Sequence, residues 1–370
     1  MSEASRPGER AQAWREHLGL TAPIIQAPMA GVSTPALAAA VSNAGGLGSL
    51  GVAAMKPDAV RDAIRQTRAL TSQAFNVNVF CHHPDASDAA ANARWLAYLK
   101  PSFERFEAEP PTSLRADLYG SMSMDEVLFR TILDERPPVL SFHFGLPSAD
   151  RITAFRSAGI VLMATAVSLR DALAAQQAGI DAVVAQGIEA GGHRGVIDVA
   201  ERDEGQGLLT LTRTLVRKLH VPVVAAGGIM DGAGVAAVLA LGAAAAQMGT
   251  AFVGCPESVA DAGYRSAMAS GVDGRTTLTT AISGRPARGF RNALTDLGEQ
   301  AGAPPSPGYP MTYDAGKAIN AAAKAQGHTE YGAFWSGQGA ALARVLPAAD
   351  LVAALQDECA EAIEALQALA

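Results

Sequence analysis

Short apolar runs, most of them closed by glycine, alternate along the chain with alanine-rich amphipathic stretches. Eight runs stand out: PIIQAPMAG (23–31), GGLGSLG (45–51), FNVNVF (75–80), VLSFHFG (139–145), IVLMATA (160–166), AVVAQG (182–187), VPVVAAGG (221–228) and AAAQMGTAF (244–252). Runs of this length without polar alternation read as strands buried on both faces of a parallel sheet, and the amphipathic stretches read as helices. The spacing from 139 to 160 to 182 is about 21–22 residues and recurs from 221 to 243, one strand–helix unit each. Eight such units predict an α/β fold, a (β/α)8 TIM barrel. A doubly wound open sheet is the alternative, and it requires a reversal of strand order that a sequence does not display.

Two gaps exceed the repeat. Residues 81–138 hold CHHPDASD, a charged helix around 86–108 ending in AEPPT, and a second helix near 124–135. Residues 191–206, GGHRGVIDVAERDEGQ, form a long polar loop. Long loops after barrel strands sit at the C-terminal face, where barrel chemistry occurs. Beyond the last strand come ISGRPARGFRN (282–292), the turn-rich QAGAPPSPGYP (300–310) and two helices, 312–326 and 348–369. The expected organisation is a barrel over 18–275, an appended substrate-pocket segment over 276–345 that folds back on the barrel mouth, and a C-terminal helix over 346–370.

Composition narrows the class. Of 370 residues 49 % are hydrophobic and 5 % aromatic, so the core is aliphatic; the net charge of −7 comes without any basic stripe, which argues against a nucleic-acid partner. The polar start MSEASRPGERAQAWREHLGL lacks the apolar centre of a signal peptide. The uncharged run 233–256 is long enough for a membrane span, but Gly242, Gln247, Gly249 and Thr250 make it a buried helix leading into a buried strand. Three cysteines (Cys81, Cys255, Cys359) without metal-ligand spacing are expected to be reduced thiols of a cytoplasmic protein, monomer or homodimer.

The polar residues at strand ends carry the chemistry. No Asp/Glu/His set has metal spacing and no Gly-x-Ser-x-Gly occurs. Asn78 ends the third strand, Gln186 the sixth, AAGGIMDG (225–232) follows the seventh and QMGT (247–250) ends the eighth. Glycines after strands seven and eight are where barrels bind phosphate through backbone N–H groups, although each also makes a tight turn. Asn and Gln match the edge of a flat heteroaromatic ring with both donors and acceptors, such as isoalloxazine. Phosphate site and amides together point to FMN; a sugar phosphate is the alternative occupant. His193, in EAGGHRG (189–195), reads either as a loop histidine or as a base, with Arg194 beside it disfavouring the imidazolium if its side chain stays close. His143 reads as a half-buried histidine or a pocket wall, and His82 and His83 as solvated. Tyr309, Tyr313 and Lys317 recur every four residues; Pro310 suits a first helical turn, which puts Tyr313 and Lys317 on one face with Tyr309 at its entry, an anion pocket or a solvated stripe.

The runs PIIQAPMAGVSTPALAAAVSNAGGLG, FNVNVF, VLSFHFG, VVAQGIEAGGHRG, VVAAGGI and QMGTAF, in this order over roughly 18–340, resemble the nitronate monooxygenases, formerly called 2-nitropropane dioxygenase. The Tyr309, Tyr313, Lys317 series resembles class I members. The resemblance implies FMN in a (β/α)8 barrel, contacted at Met29, Asn78, Gln186, Gly191, Gly228, Gln247, Met248, Gly249 and Thr250. It implies His193 as catalytic base and a substrate pocket of His143, Tyr309, Tyr313 and Lys317. The implied reaction takes an anionic alkyl nitronate such as propionate 3-nitronate and O2 to a carbonyl compound and nitrite, with no metal. Flavin-dependent enoyl-acyl-carrier-protein reductases share an EAGGH-type loop and are the enzyme alternative; a non-catalytic barrel that stores or senses FMN or a phosphometabolite is the alternative of another class.

Overall fold

In a computed structural model describing residues 6–83, 85–196, 202–270 and 275–369, all eight expected runs are strands. In chain order the strands are β1 Ile24–Gln26, β2 Gly48–Gly51, β3 Phe75–Phe80, β4 Val139–His143, β5 Val161–Ala166, β6 Ala182–Gln186, β7 Gly192–His193, β8 Val223–Ala226, β9 Ala245–Met248, β10 Thr276–Thr279 and β11 Ala287–Phe290. β1 to β6, β8 and β9 make one parallel sheet whose neighbours follow chain order, β1 pairs with β9, and the parallel bridge Ile25–Leu47 joins β1 to the start of β2. The ring is a TIM barrel, and the absence of any order reversal excludes the open doubly wound sheet.

Strand alternation divides the apolar residues between two cores. Val77, Leu140, Leu162 and Val183 face outward onto helix residues such as Ile64, Ile132, Phe155 and Leu211. Ile25, Val139, Met163, Val184 and Val224 fill the barrel, where Trp14 of the helix Pro7–His17 and its C-cap residue Leu18 plug the N-terminal end. Arg10 and Arg15 fasten that helix by donating to the carbonyls of Leu219 (3.1 Å) and Ala244 (2.8 Å). The uncharged run 233–256 resolves as expected into the helix Gly232–Ala240, β9 and a single turn, Thr250–Val253. No helix of the described residues is long and apolar enough to cross a membrane.

The two excursions meet above the barrel mouth. The helix Ala89–Glu104 of the first packs Trp95, Leu99 and Phe103 against Ala315 and Ile319 of the helix Met311–Ala325. The appended segment also holds β10 and β11, which the sequence pattern did not reveal. They pair antiparallel, and β11 pairs with β7, putting Ala287 opposite His193. The loop 191–206 is therefore partly sheet; its residues 197–201 lie outside the described residues. The last helix, Ala348–Gln367, lies along the flank of the barrel, where Leu351, Val352 and Leu355 cover Leu37, Val41, Val235 and Val238.

Candidate active site

A cavity of about 330 Å³ opens at the C-terminal ends of the barrel strands. Met29, Asn78, His143, Gln186, Gly191, His193, Gly228, Gln247, Met248, Gly249, Thr250, Tyr313 and Lys317 all line it. Tyr309 does not: it is fully buried behind the wall, stacked on Tyr119 at 5.7 Å. Pro310 is the N-cap of the helix Met311–Ala325, so Tyr309 stands at the helix entry as expected, but its ring turns into the core and not into the cavity. A wider groove of about 710 Å³, beside Trp14, His17 and His220, lies at the N-terminal end of the barrel, the end that carries stability rather than chemistry in this fold.

The loop after β6 is held by Gln186 and Arg194. Gln186 donates to the carbonyl of His193 (2.8 Å) and accepts from the N–H of Gly195 (2.8 Å). Its amide thus positions the loop through one N–H and the oxygen, and the residue also lines the cavity. Arg194, fully buried, donates to the carbonyls of Gln186 (3.1 Å) and Gly187 (2.7 Å) and pairs with Asp203 (2.7 Å). Gly191 permits a close crossing of chains, because a Cβ there would stand 2.6 Å from the backbone nitrogen of Gly337. Ahead of the loop, Asn78 uses its NH2 on the carbonyl (3.2 Å) and hydroxyl (2.9 Å) of Ser141, leaving its Oδ1 as an acceptor. Gln247 keeps a whole amide without a hydrogen bond among the described residues. Gly227 (φ 137°) and Gly228 (φ 69°) form the turn after β8 in a backbone that favours glycine.

His193 sits on β7 with Nε2 3.0 Å from Ser283 Oγ. The Ser283 hydroxyl donates to the Arg285 carbonyl (3.1 Å), so its oxygen receives the Nε2 proton and the unprotonated nitrogen of His193 is Nδ1. The residue lines the cavity. Burial, then His143 and Arg285, push its pKa down to about 3. Arg194 is not among the causes: side chains of successive residues on a strand point to opposite faces, and this guanidinium turns into the loop. His143, 3.2 Å from Thr165 Oγ1, is pushed down to about 4 by burial, with Arg285 and Arg194 adding to this and the backbone of His193 opposing it. Both imidazoles are neutral at ordinary pH.

The opposite wall is aromatic and cationic. Lys317 Nζ stands 4.9 Å above the Tyr119 ring and 5.1 Å above the Tyr313 ring, with no ion pair or hydrogen bond among the described residues. Burial and then Arg115 hold its pKa below the ordinary lysine value. Trp335 packs 5.0 Å from His193. Tyr119, Trp335 and Ser283 escaped the sequence reading; only the Gly/Pro-rich ISGRP around Ser283 offered a signal. His82, expected to be solvated, is buried (1 % exposed) and lies 5.1 Å from Tyr309, because Ser121 and Met122 fold over it through bonds to the His82 and Phe80 carbonyls. His83 is exposed as expected.

Known proteins bear on this geometry. The family profile described as nitronate monooxygenase matches residues 12–358. A nitronate monooxygenase of Paraburkholderia phytofirmans is 57 % identical, over 95 % of this chain and 96 % of its own. Among solved structures, nitroalkane oxidase from Streptomyces ansochromogenes superposes with a TM-score of 0.85 at 40 % identity, covering 95 % of this chain and 99 % of that one. FabK from Thermotoga maritima superposes with a TM-score of 0.75 at 30 % identity, covering 97 % and 99 %.

Proposed function

Because the chain belongs to the nitronate monooxygenase family and is an oxidoreductase, we propose that it is an FMN-dependent nitronate monooxygenase. It oxidises alkyl nitronates, propionate 3-nitronate among them, with O2 to a carbonyl compound and nitrite. The observation that carries this reading is the pairing, in one cavity, of a neutral His193 with the unpaired ammonium of Lys317. Such a cavity is suited to a small organic anion.

The residues fit FMN. Asn78 Oδ1 and the Gln247 amide are the polar groups left open for a ring edge. The Gly227–Gly228 turn and Gly249–Thr250 offer backbone N–H groups to a phosphate at the ends of β8 and β9. When bound, FMN supplies the electron acceptor and the reaction with O2. Lys317 attracts the nitronate and, with the neutral His143, holds its oxygens. Tyr119, Tyr313 and Trp335 exclude water around it. His193 Nδ1 removes the α-proton when a neutral nitroalkane is presented. Its low proton affinity makes it a modest base, so the site favours nitronates that arrive already ionised. The three free cysteines, all buried, accord with a cytoplasmic location.

The test is anaerobic mixing of the flavin-loaded protein with propionate 3-nitronate. Loss of the oxidised flavin absorbance, followed by nitrite release on admitting air, is expected. Bleaching by NADH but not by nitronate would replace this reading with the enoyl reductase. For His193→Asn, flavin is expected to stay bound while turnover of neutral nitroalkanes falls far more than that of preformed nitronates; equal loss on both would remove the base role.

A further inference from the structure

We infer that Arg285 is a positioning residue of this pocket, a fixed cation behind its His143–His193 wall that biases the cavity toward anionic substrates. The inference rests on the anionic-substrate reading above. Arg285 is 4 % exposed, and its Nε and Nη1 are buried without hydrogen-bond partners. It makes no ion pair among the described residues: Asp85, the neighbouring acid, accepts instead from the backbone N–H of Tyr309 (2.8 Å). A buried guanidinium with unmade bonds is costly to the fold, so its retention calls for a return elsewhere.

Its position supplies one. The guanidinium stands 4.6 Å from the centre of the Phe144 ring, and that ring is 5.4 Å from the His193 ring and 4.6 Å from the His143 ring. The first two steps place the charge no further from His193 than their sum. Phe144 is held in the left-handed region (φ 66°), where a bulky residue is strained, so the fold imposes the ring that stands between cation and imidazoles. The same residue also positions His193 through its backbone, because the Arg285 carbonyl receives the Ser283 hydroxyl that fixes the imidazole.

Apart from Asp85, the titratable groups facing this charge are neutral. His82 is pushed down to about 4 by burial and then by Arg285, and burial raises Tyr309. Around His193 stand His143, Tyr309, Tyr313 and Trp335, none of them anionic at neutral pH. Arg285 lowers His82, His143 and His193 alike. Among the described residues Asp85 is the one acid that opposes it. Lys317 and Arg285 therefore act differently. The first meets the substrate at the mouth. The second acts through Phe144 and cannot touch it.

The test uses the flavin-loaded enzyme with Arg285→Met, Arg285→Gln as a second uncharged variant, and Arg285→Lys. At a separation on the order of 10 Å and an effective dielectric of about 20, one charge is worth roughly tenfold in affinity for a monovalent anion. The uncharged variants are therefore expected to lower kcat/KM for a preformed nitronate about tenfold through KM, with a smaller effect on the neutral nitroalkane. The acid limb of the pH profile for neutral nitroalkanes should move up by about one pH unit. Arg285→Lys should restore both. Equal losses on the two substrates with an unmoved limb, or a lysine variant as impaired as the methionine one, would overturn the inference. Where Arg285→Met does not load flavin, the glutamine and lysine pair gives the same comparison. Failure of the wild-type enzyme to turn over nitronates would sink the functional reading alone, since the shift of the limb is measured with nitroalkanes or by titrating histidine resonances.

Discussion

Arg194→Met is the perturbation that most directly tests how the loop carrying His193 is held. The side chain is wholly buried and serves four acceptors: Asp203 at 2.7 Å, the carbonyls of Gly187 (2.7 Å) and Gln186 (3.1 Å), and the Gln186 amide oxygen at 3.4 Å. Removing one partner of a buried ion pair costs about 3–5 kcal/mol, and each carbonyl left unmatched about 1 kcal/mol or more. A methionine of similar length refills part of the volume, so a net loss of about 4 kcal/mol is expected. Urea unfolding of the flavin-loaded enzyme measures it. Burial alone raises the Asp203 carboxyl, but the hydrogen bonds from Arg194 and Gly205 and the Arg194 charge outweigh it and hold the group below the usual carboxylate range. Its contribution is therefore complete above the unfolded value of about 3.9 and vanishes as pH falls through the lower folded value. The stability gap between wild type and variant should accordingly be full at pH 7 and narrow below about pH 4. In a cycle with Asp203→Asn the two losses should fall short of additivity by at least about 1 kcal/mol. A loss below about 1 kcal/mol, or strict additivity, would refute the account of the loop.

Two further outcomes follow from the geometry. Gly191→Ala forces a Cβ to within 2.6 Å of the backbone at Ser336 and Gly337, where no flexible side chain can yield; a loss of about 1–3 kcal/mol and a lower flavin-to-protein ratio by absorbance are expected. Lys317→Met should raise KM for nitronates about tenfold, the worth of one charge-assisted contact, while leaving kcat for neutral nitroalkanes less affected. In the wild type the nitronate KM should rise with pH as Lys317 deprotonates, at a pH below the ordinary lysine value.

The barrel was legible because strands buried on both faces are written as unbroken apolar runs, and the cavity-lining residues Asn78, Gln186 and Gln247 sit at their ends, where position follows from the run itself. β7, β10 and β11 were not, since two to four residues carry no periodicity and their pairing joins positions near 193 and 287 that only tertiary structure brings together. Tyr309 stands at the helix entry as the spacing implied, but the spacing carries no sign that its ring turns into the core behind the cavity wall. Adjacency misled for Arg194, whose side chain leaves His193 by strand alternation. Tyr119 had no signal, as its place at the mouth depends on contacts between the two excursions, among them the bridge of Arg115 to Asp314 at 2.9 Å. The loop bonds of Gln186 to His193 and Gly195 were not legible, because a residue type states what can be bonded and not which neighbours the fold brings to it.

The mouth of the barrel joins two kinds of construction. Asn78, Gln247 and the Gly227–Gly228 turn belong to the repeating strand units, whereas Tyr119, Tyr313, Lys317 and Trp335 come from insertions outside them. The insertions pack on one another through Trp95, Leu99 and Ile319. Selection can therefore rewrite what the pocket admits by exchanging one compact cap, while the seat beneath it keeps its register, and a chimaera transplanting both excursions together should carry substrate preference with it where either alone would not.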